Sequence, residues 1–195
     1  MIFLHRQNTL DCNIEKYGVE IDLRYNGEIV LNHDILEYGE IYPLLRDKVN
    51  LMKNIPIICN IKESGIEEKA MELLKGNDFY FLDSQIPDIL RLSEIIPGRF
   101  IIRISDVESF NERLIEISKP KYVWIDYSRF NNFDLQDYKE FLVSIKSKLK
   151  DVIPILVSPE LYNISFLELI GHIRNIVPKY FSICTKKPEL WSCHV

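Results

Sequence analysis

The sequence predicts an α/β chain folded as a compact (β/α)8 barrel. Eight short runs rich in Ile, Val, Tyr and Phe recur along the whole length, the composition of strands buried on both faces. The stretches between them carry apolar residues at helical spacing, so β and α units alternate and the sheet should be parallel. No G-x-G-x-x-G follows the first run, as a dinucleotide-binding open sheet would require. Strand count therefore favours closure, although 195 residues is at the lower edge of the range for closed barrels, roughly 200 and upward. The barrel should be trimmed and occupy residues 1–195 as one domain.

The expected strands are residues 2–5, 19–23, 56–61, 79–82, 100–104, 122–126, 152–157 and 180–184. The expected helices are residues 10–17, 44–53, 66–75, 87–96, 108–118, 135–149 and 166–176. In the sixth of these, Tyr138, Phe141, Leu142, Ile145 and Leu149 recur every three or four residues and mark one buried face. Ser64 followed by Glu67 has the capping-box pattern, and Ser105 or Asp106 can cap the helix after the fifth strand. Gly76 and Gly98 fall just past helix ends, where a positive φ is wanted. Asn26-Gly27 predicts a hairpin turn leading into an extra extended segment at residues 28–31.

Composition narrows the function. With 47% hydrophobic and 27% charged residues and a net charge of -5, the chain is globular and lacks the basic footprint of a general nucleic-acid binder. No apolar run nears the roughly 20 residues of a membrane span, and Met1–Arg6 does not open a secretory signal, so a cytoplasmic location is expected. Cys12, Cys59, Cys184 and Cys193 form no CxxC pair. Cys59 and Cys184 lie in apolar runs, and all four are expected to be inert reduced thiols.

In a (β/α)8 barrel the chemistry sits at the C-terminal ends of the strands. Here the first strand ends in His5-Arg6, followed by Asn8-Thr9. The second carries Glu20 and Asp22, two residues apart and so on one face. The hairpin ends in Asn32-His33-Asp34, and the third strand in Asn60-Ile61-Lys62. Two carboxylates on one buried face need compensation worth several kcal/mol. A divalent cation supplies it, and all-oxygen ligation points to Mg²⁺ or Ca²⁺ rather than zinc, with Mn²⁺ also compatible. Arg6 as a fork and Lys62 as a point charge suit a phosphate. His5 and His33 can trade protons near neutral pH as an acid/base pair. Asp126 and Trp124, at the end of the sixth strand, are candidate pocket-lining residues, with core packing the stronger expectation for Trp124.

The order His5-Arg6, Asn8-Thr9, Glu20-Ile21-Asp22, Leu31-Asn32-His33-Asp34 resembles the signature of the glycerophosphodiester phosphodiesterase family, one of the phospholipase-C-like barrels. Asn60-Ile61-Lys62 aligns with that family's ExK motif, and Thr185-Lys186-Lys187-Pro188 looks like its T-D-R-P segment. The resemblance implies that His5 and His33 are the catalytic acid and base, that Arg6 and Lys62 contact the phosphate, and that Glu20 and Asp22 ligate the metal. It further implies attack by a neighbouring substrate hydroxyl on phosphorus, followed by opening of a cyclic phosphate by water. Three departures stand out. Gln7 replaces the glycine after HR. Asn60 replaces the third metal-binding carboxylate, so its amide oxygen would ligate a hard cation more weakly. The stretch from Asp34 to Pro56 is too short for the family's cap insertion, so the rim should be open. The expected activity is hydrolysis of a glycerophosphodiester or related phosphodiester in phospholipid or surface-polysaccharide metabolism. The alternative is a catalytically impaired barrel that binds a phosphate-bearing ligand or a protein partner.

Overall fold

All eight expected strands form, and their hydrogen-bonded register closes them into a ring. The computed structural model describes residues 1–11, 14–149 and 151–194. Its strands are β1 (Ile2–Leu4), β2 (Gly18–Tyr25), β3 (Ile29–Leu31), β4 (Pro56–Ile61), β5 (Asp78–Leu82), β6 (Phe100–Ile104), β7 (Tyr122–Ile125), β8 (Ile153–Val157) and β9 (Ser182–Thr185). Pairing runs β1-β9-β8-β7-β6-β5-β4-β2, and a parallel β1–β2 pairing closes the circle. The closed barrel thus has eight parallel strands. β3 folds back antiparallel on the upper part of β2, with Leu23 opposite Leu31, as Asn26-Gly27 predicts; Gly27 adopts the positive φ of 75° that the turn needs.

Strand parity separates two apolar layers. Phe3, Ile58, Tyr80, Leu82, Ile101, Tyr122, Trp124, Ile155, Val157 and Cys184 point inward and fill the barrel. The Tyr122 ring receives Phe3 and Tyr80 edge-on, with centroids 5.8 and 4.8 Å away. The alternate residues, among them Val19, Ile21, Leu23, Ile57, Cys59 and Ile61, point outward into the core shared with the helices. Gly18 has no side chain for a packing reason: a Cβ there would lie 2.4 Å from Phe3 Cδ1 and 3.0 Å from the Pro56 carbonyl oxygen.

The helices are α1 (Leu45–Lys48), α2 (Glu67–Leu73), α3 (Ile86–Leu92), α4 (Glu112–Ser118), α5 (Leu135–Lys148), α6 (Leu169–Arg174) and α7 (Pro188–Trp191). α5 buries Tyr138, Leu142 and Ile145 on the expected face, and the Asp134 side chain caps its start by accepting from Gln136 N and Asp137 N. Several helices are shorter than their apolar spacing suggests. The segment at 44–53 divides into α1 and a 3₁₀ turn at Val49–Met52, and that at 166–176 divides into a 3₁₀ turn at Ile164–Glu168 followed by α6.

The helix expected at 10–17 does not form; its described residues are irregular, and Cys12 and Asn13 lie outside the described residues. The reason is tertiary. Gln7 and Asn8 are held to β2, Gln7 N donating to the Glu20 carbonyl and Asn8 Oδ1 accepting from Asp22 N. The chain must then return to start β2 at Gly18. Ser64 does not cap α2. Its hydroxyl points to Asp88, and Glu67 accepts from Gly65 N. Ser105 accepts from Val107 N and Glu108 N in a local turn, and α4 begins later, capped by Asn111. Gly76 and Gly98 both have the expected positive φ, 88° and 77°; Gly76 closely follows the end of α2 at Leu73, whereas α3 already ends at Leu92 and Gly98 lies in the turn that leads into β6. Among the described residues no helix is long and apolar enough to cross a membrane.

Candidate active site

The inward parity that fills the barrel with apolar groups switches to polar groups at its C-terminal mouth. Glu20 and Asp22 lie in register with Ile58 and Asn60 of β4, so both carboxylates and the Asn60 amide face the same interior. β1 runs out at His5, whose N–H donates to the Thr185 carbonyl. The chain then turns sharply at Arg6, which adopts a left-handed φ of 52°. That turn aims the Arg6 N–H at Glu20 Oε2, 2.8 Å away.

A dense polar network surrounds the two carboxylates. Glu20 is fully buried and also accepts from Asn60 Nδ2 at 3.2 Å, with His5 Nε2 3.7 Å from Oε2. Asp22 accepts from Asn8 Nδ2 at 2.8 Å and faces the Lys62 ammonium, whose Nζ is 3.2 Å from Oδ1. This contact is an ion pair without hydrogen-bond geometry, because Oδ1 has no hydrogen-bonded donor. Burial, and then the charge of Asp22, push the Glu20 carboxyl up to about 7. Burial also pushes His5 down to about 3, helped by Arg6, Lys186, His33 and Lys62. His5 is therefore a neutral imidazole at neutral pH.

His33 is held at both ring nitrogens. Arg6 Nη2 lies 2.6 Å from Nε2, and Asp34 Oδ1 lies 2.8 Å from Nδ1. A guanidinium can only donate and a carboxylate can only accept. Nε2 is therefore the acceptor, and Nδ1 carries the proton. Hydrogen bonding to His33 holds the Asp34 carboxyl below the usual range. Arg24 donates to the His33 carbonyl from Nε and Nη2 and fixes the backbone beneath the ring.

The donor set suits a hard cation in kind. Asp22 Oδ1 and Asn60 Oδ1 are buried oxygens without a hydrogen-bond donor, and Glu20 adds a second carboxylate. No group of three or more His, Cys, Asp or Glu among the described residues is arranged to hold a metal. A third protein ligand would have to be the amide oxygen of Asn60, a weaker hard ligand than a carboxylate.

These residues share a cavity of about 230 Å³ with an opposite wall that the motifs do not contain. His5, Arg6, His33, Asn60 and Lys62 form one side; Arg103, Trp124, Asp126, Val157, Leu161 and Tyr162 form the other. Trp124 is both a core residue and a lining residue. Arg103 and Tyr162 were not singled out from the sequence. Arg103 left a signal, being the lone charged residue in the run at 100–104. Tyr162 left none. Larger grooves of about 530 and 610 Å³ lie on the flanks of α4 and α5 and near α3. Neither brings histidines, a buried carboxylate pair and cations together.

The segment Thr185–Pro188 adjoins His5, whose N–H binds the Thr185 carbonyl and whose imidazole feels the Lys186 charge. Buried Glu160 accepts from Thr185 Oγ1, Ser158 Oγ and Lys186 N, and Trp191 Nε1 donates to Ser158 Oγ. This knot ties the turn after β9 to the end of β8. Cys59 and Cys184 are buried free thiols that burial pushes up, and Cys193 is an exposed free thiol. His194 is buried against Trp191, away from the cavity.

No family model matches the sequence, and no curated protein does. Among solved structures, the fold is similar to a protein of Agrobacterium tumefaciens str. C58 named "Putative glycerophosphoryl diester phosphodiesterase". The TM-score is 0.63 at 10% identity, over 99% of this chain and 96% of that one. The likeness extends over nearly the whole of both chains and is one of fold.

Proposed function

We propose that the chain is a metal-dependent phosphodiesterase of the glycerophosphodiester phosphodiesterase type, acting on a glycerophosphodiester or a related phosphodiester. The observation that carries this reading is the convergence of His5, His33, Arg6 and Lys62 on one small cavity, with the Glu20–Asp22 pair buried beneath it. The fold it shares with a protein of that name adds support. Arg6 and Lys62 bind the phosphodiester anion, Arg6 leaving His33 Nε2 to do so. His5, neutral in the buried wall, accepts the proton of the attacking hydroxyl on the substrate's own alcohol. Once Arg6 has turned to the phosphate, His33 Nε2 is free to take a proton from solvent, and the resulting imidazolium, oriented by Asp34 at the open rim, gives that proton to the departing alkoxide. Their roles reverse when water opens the cyclic phosphate. A divalent cation held by Glu20, Asp22 and Asn60 Oδ1 would lower the pKa of the attacking hydroxyl and take up phosphoryl charge.

A second reading, a phosphate-binding barrel without turnover, is favoured by two observations. Asn60 stands where a third carboxylate would complete a metal site, and Lys62 already neutralises Asp22. Hydrolysis of glycerophosphoethanolamine with Mg²⁺, Ca²⁺ or Mn²⁺ separates the two. His5→Asn and His33→Asn should each lower turnover by about 10²- to 10⁴-fold. Bis(p-nitrophenyl) phosphate, which has no neighbouring hydroxyl, should be spared. Phosphate binding without turnover under every metal would favour the second reading, and wild-type rates in both variants would remove the histidines from the chemistry.

A further inference from the structure

The wall facing the phosphate-binding cations has its own chemistry. Arg103 of β6 donates from Nε to Asp83 Oδ1 at 2.9 Å and from Nη2 to Asp83 Oδ2, and its Nη1 pairs with Asp126 Oδ2. Tyr162 donates its hydroxyl to Asp126 Oδ1 and accepts from the Tyr127 N–H at 3.1 Å. Asp126 is thus clamped from two elements, and its own N–H is tied to the Ile104 carbonyl.

A guanidinium has five N–H groups and a carboxylate about four lone-pair sites. Arg103 therefore keeps uncommitted N–H groups on Nη1 and Nη2, while Asp126 keeps uncommitted lone pairs on both oxygens. A donor beside an acceptor matches a hydroxyl, which is both. An ammonium would find no acceptor for the Arg103 N–H groups, and an anion would find no donor for the Asp126 lone pairs. Two aspartates against one arginine also leave this wall with an excess negative charge, opposite in sign to Arg6 and Lys62 across the cavity. At about 230 Å³ the cavity is below the roughly 300–1,000 Å³ of drug-sized sites. It has room for a phosphate and one small alcohol, and the other alcohol of a diester would extend through its open mouth.

We propose that Asp126, steadied by Arg103 and Tyr162, is the specificity-determining residue for the alcohol held in the cavity. It accepts a hydroxyl of a small uncharged polyol and turns away an alcohol carrying a second anion. This deepens the phosphodiesterase reading and rests on Arg6 and Lys62 being the phosphate side of the same cavity.

Calorimetric titration with monoesters tests it without turnover. Glycerol 3-phosphate, propyl phosphate (no hydroxyls) and 3-phosphoglycerate (a carboxylate in place of the terminal alcohol) are titrated into wild type with Mg²⁺ present. Wild type should favour glycerol 3-phosphate about 10- to 100-fold over each of the others. Asp126→Ala should bring its ratio to propyl phosphate close to one and improve the relative affinity for 3-phosphoglycerate. Tyr162→Phe keeps the ring against Phe130, 5.1 Å away, and should weaken the same preferences if Asp126→Ala does not fold. Equal affinities in wild type, or a preference unchanged in a folded variant, would overturn the proposal. Lack of binding by every ester would overturn it together with the phosphodiesterase reading. Discrimination without turnover of any diester would leave it standing and remove only the hydrolytic reading.

Discussion

Replacing Asn60 by glutamate tests the proposed ion site most directly, because Asn60 lies in register with Asp22 and donates to Glu20 from 3.2 Å. Asn60→Glu exchanges a donor for a third acceptor in a buried pocket that already holds two carboxylates. Without metal, a hydrogen bond to a charged group is lost, worth about 1.5–3 kcal/mol. An uncompensated buried charge can raise the total to about 3–5 kcal/mol. For a chain of this length each kcal/mol moves Tm by about 2–4 °C, so the chelated variant should melt about 6–20 °C below wild type. The same carboxylate completes a hard-oxygen set. At free metal one hundred times the Kd, binding returns about 2.7 kcal/mol, which offsets much of the loss. The assay is thermal unfolding of both proteins in EDTA and across a Mg²⁺ or Ca²⁺ series. A larger metal-induced rise in Tm for Asn60→Glu is the expected result. Equal rises in the two proteins, or a chelated variant as stable as wild type, would show that residue 60 does not face an ion bound by Glu20 and Asp22.

Three further outcomes follow from the same structure. The Glu20 carboxyl is pushed up to about 7 from 4.5, so the folded protein holds that proton more tightly than the unfolded chain. Its contribution to stability is full below about pH 4.5 and is lost as pH rises through about 7; urea midpoints in EDTA should fall over that window, and Glu20→Gln should flatten the fall. Gly18→Ala drives a Cβ into the Phe3 ring, which is fully buried, and should lower stability by about 1–3 kcal/mol by denaturant titration. A neutral result there would mean that Phe3 can move without disturbing Tyr122. Site-resolved mass spectrometry after brief alkylation should find Cys193 modified and Cys59 and Cys184 protected, since burial raises both thiols and hides them; early labelling of Cys59 would contradict its placement on the helix-facing side of β4.

The strands and half of the site were legible because both obey a short-range rule. Alternation along a strand is a local property, so Glu20 and Asp22, or Asn60 and Lys62, reveal a shared face without any tertiary knowledge. Closure of the ring was legible only by count, because the β1–β2 pairing that makes it is a contact of tertiary structure. Helix ends were less visible. Apolar spacing at 10–17 resembles a helix, yet Gln7 and Asn8 bind β2 and leave the segment to return to Gly18. Ser64 has the pattern of a cap, but Asp88 from a neighbouring segment takes its hydroxyl.

Residue identity and spacing alone determined the eight strands and the polar groups offered by the ends of the first, second and fourth strands, because these are properties of neighbours in the chain. Only the tertiary structure decided what those groups meet. It set Lys62 against Asp22, Arg6 on His33, and Arg103 with Asp126 and Tyr162 across the cavity. Each joins residues far apart in sequence, and no local periodicity encodes a partner that the chain reaches only by closing on itself.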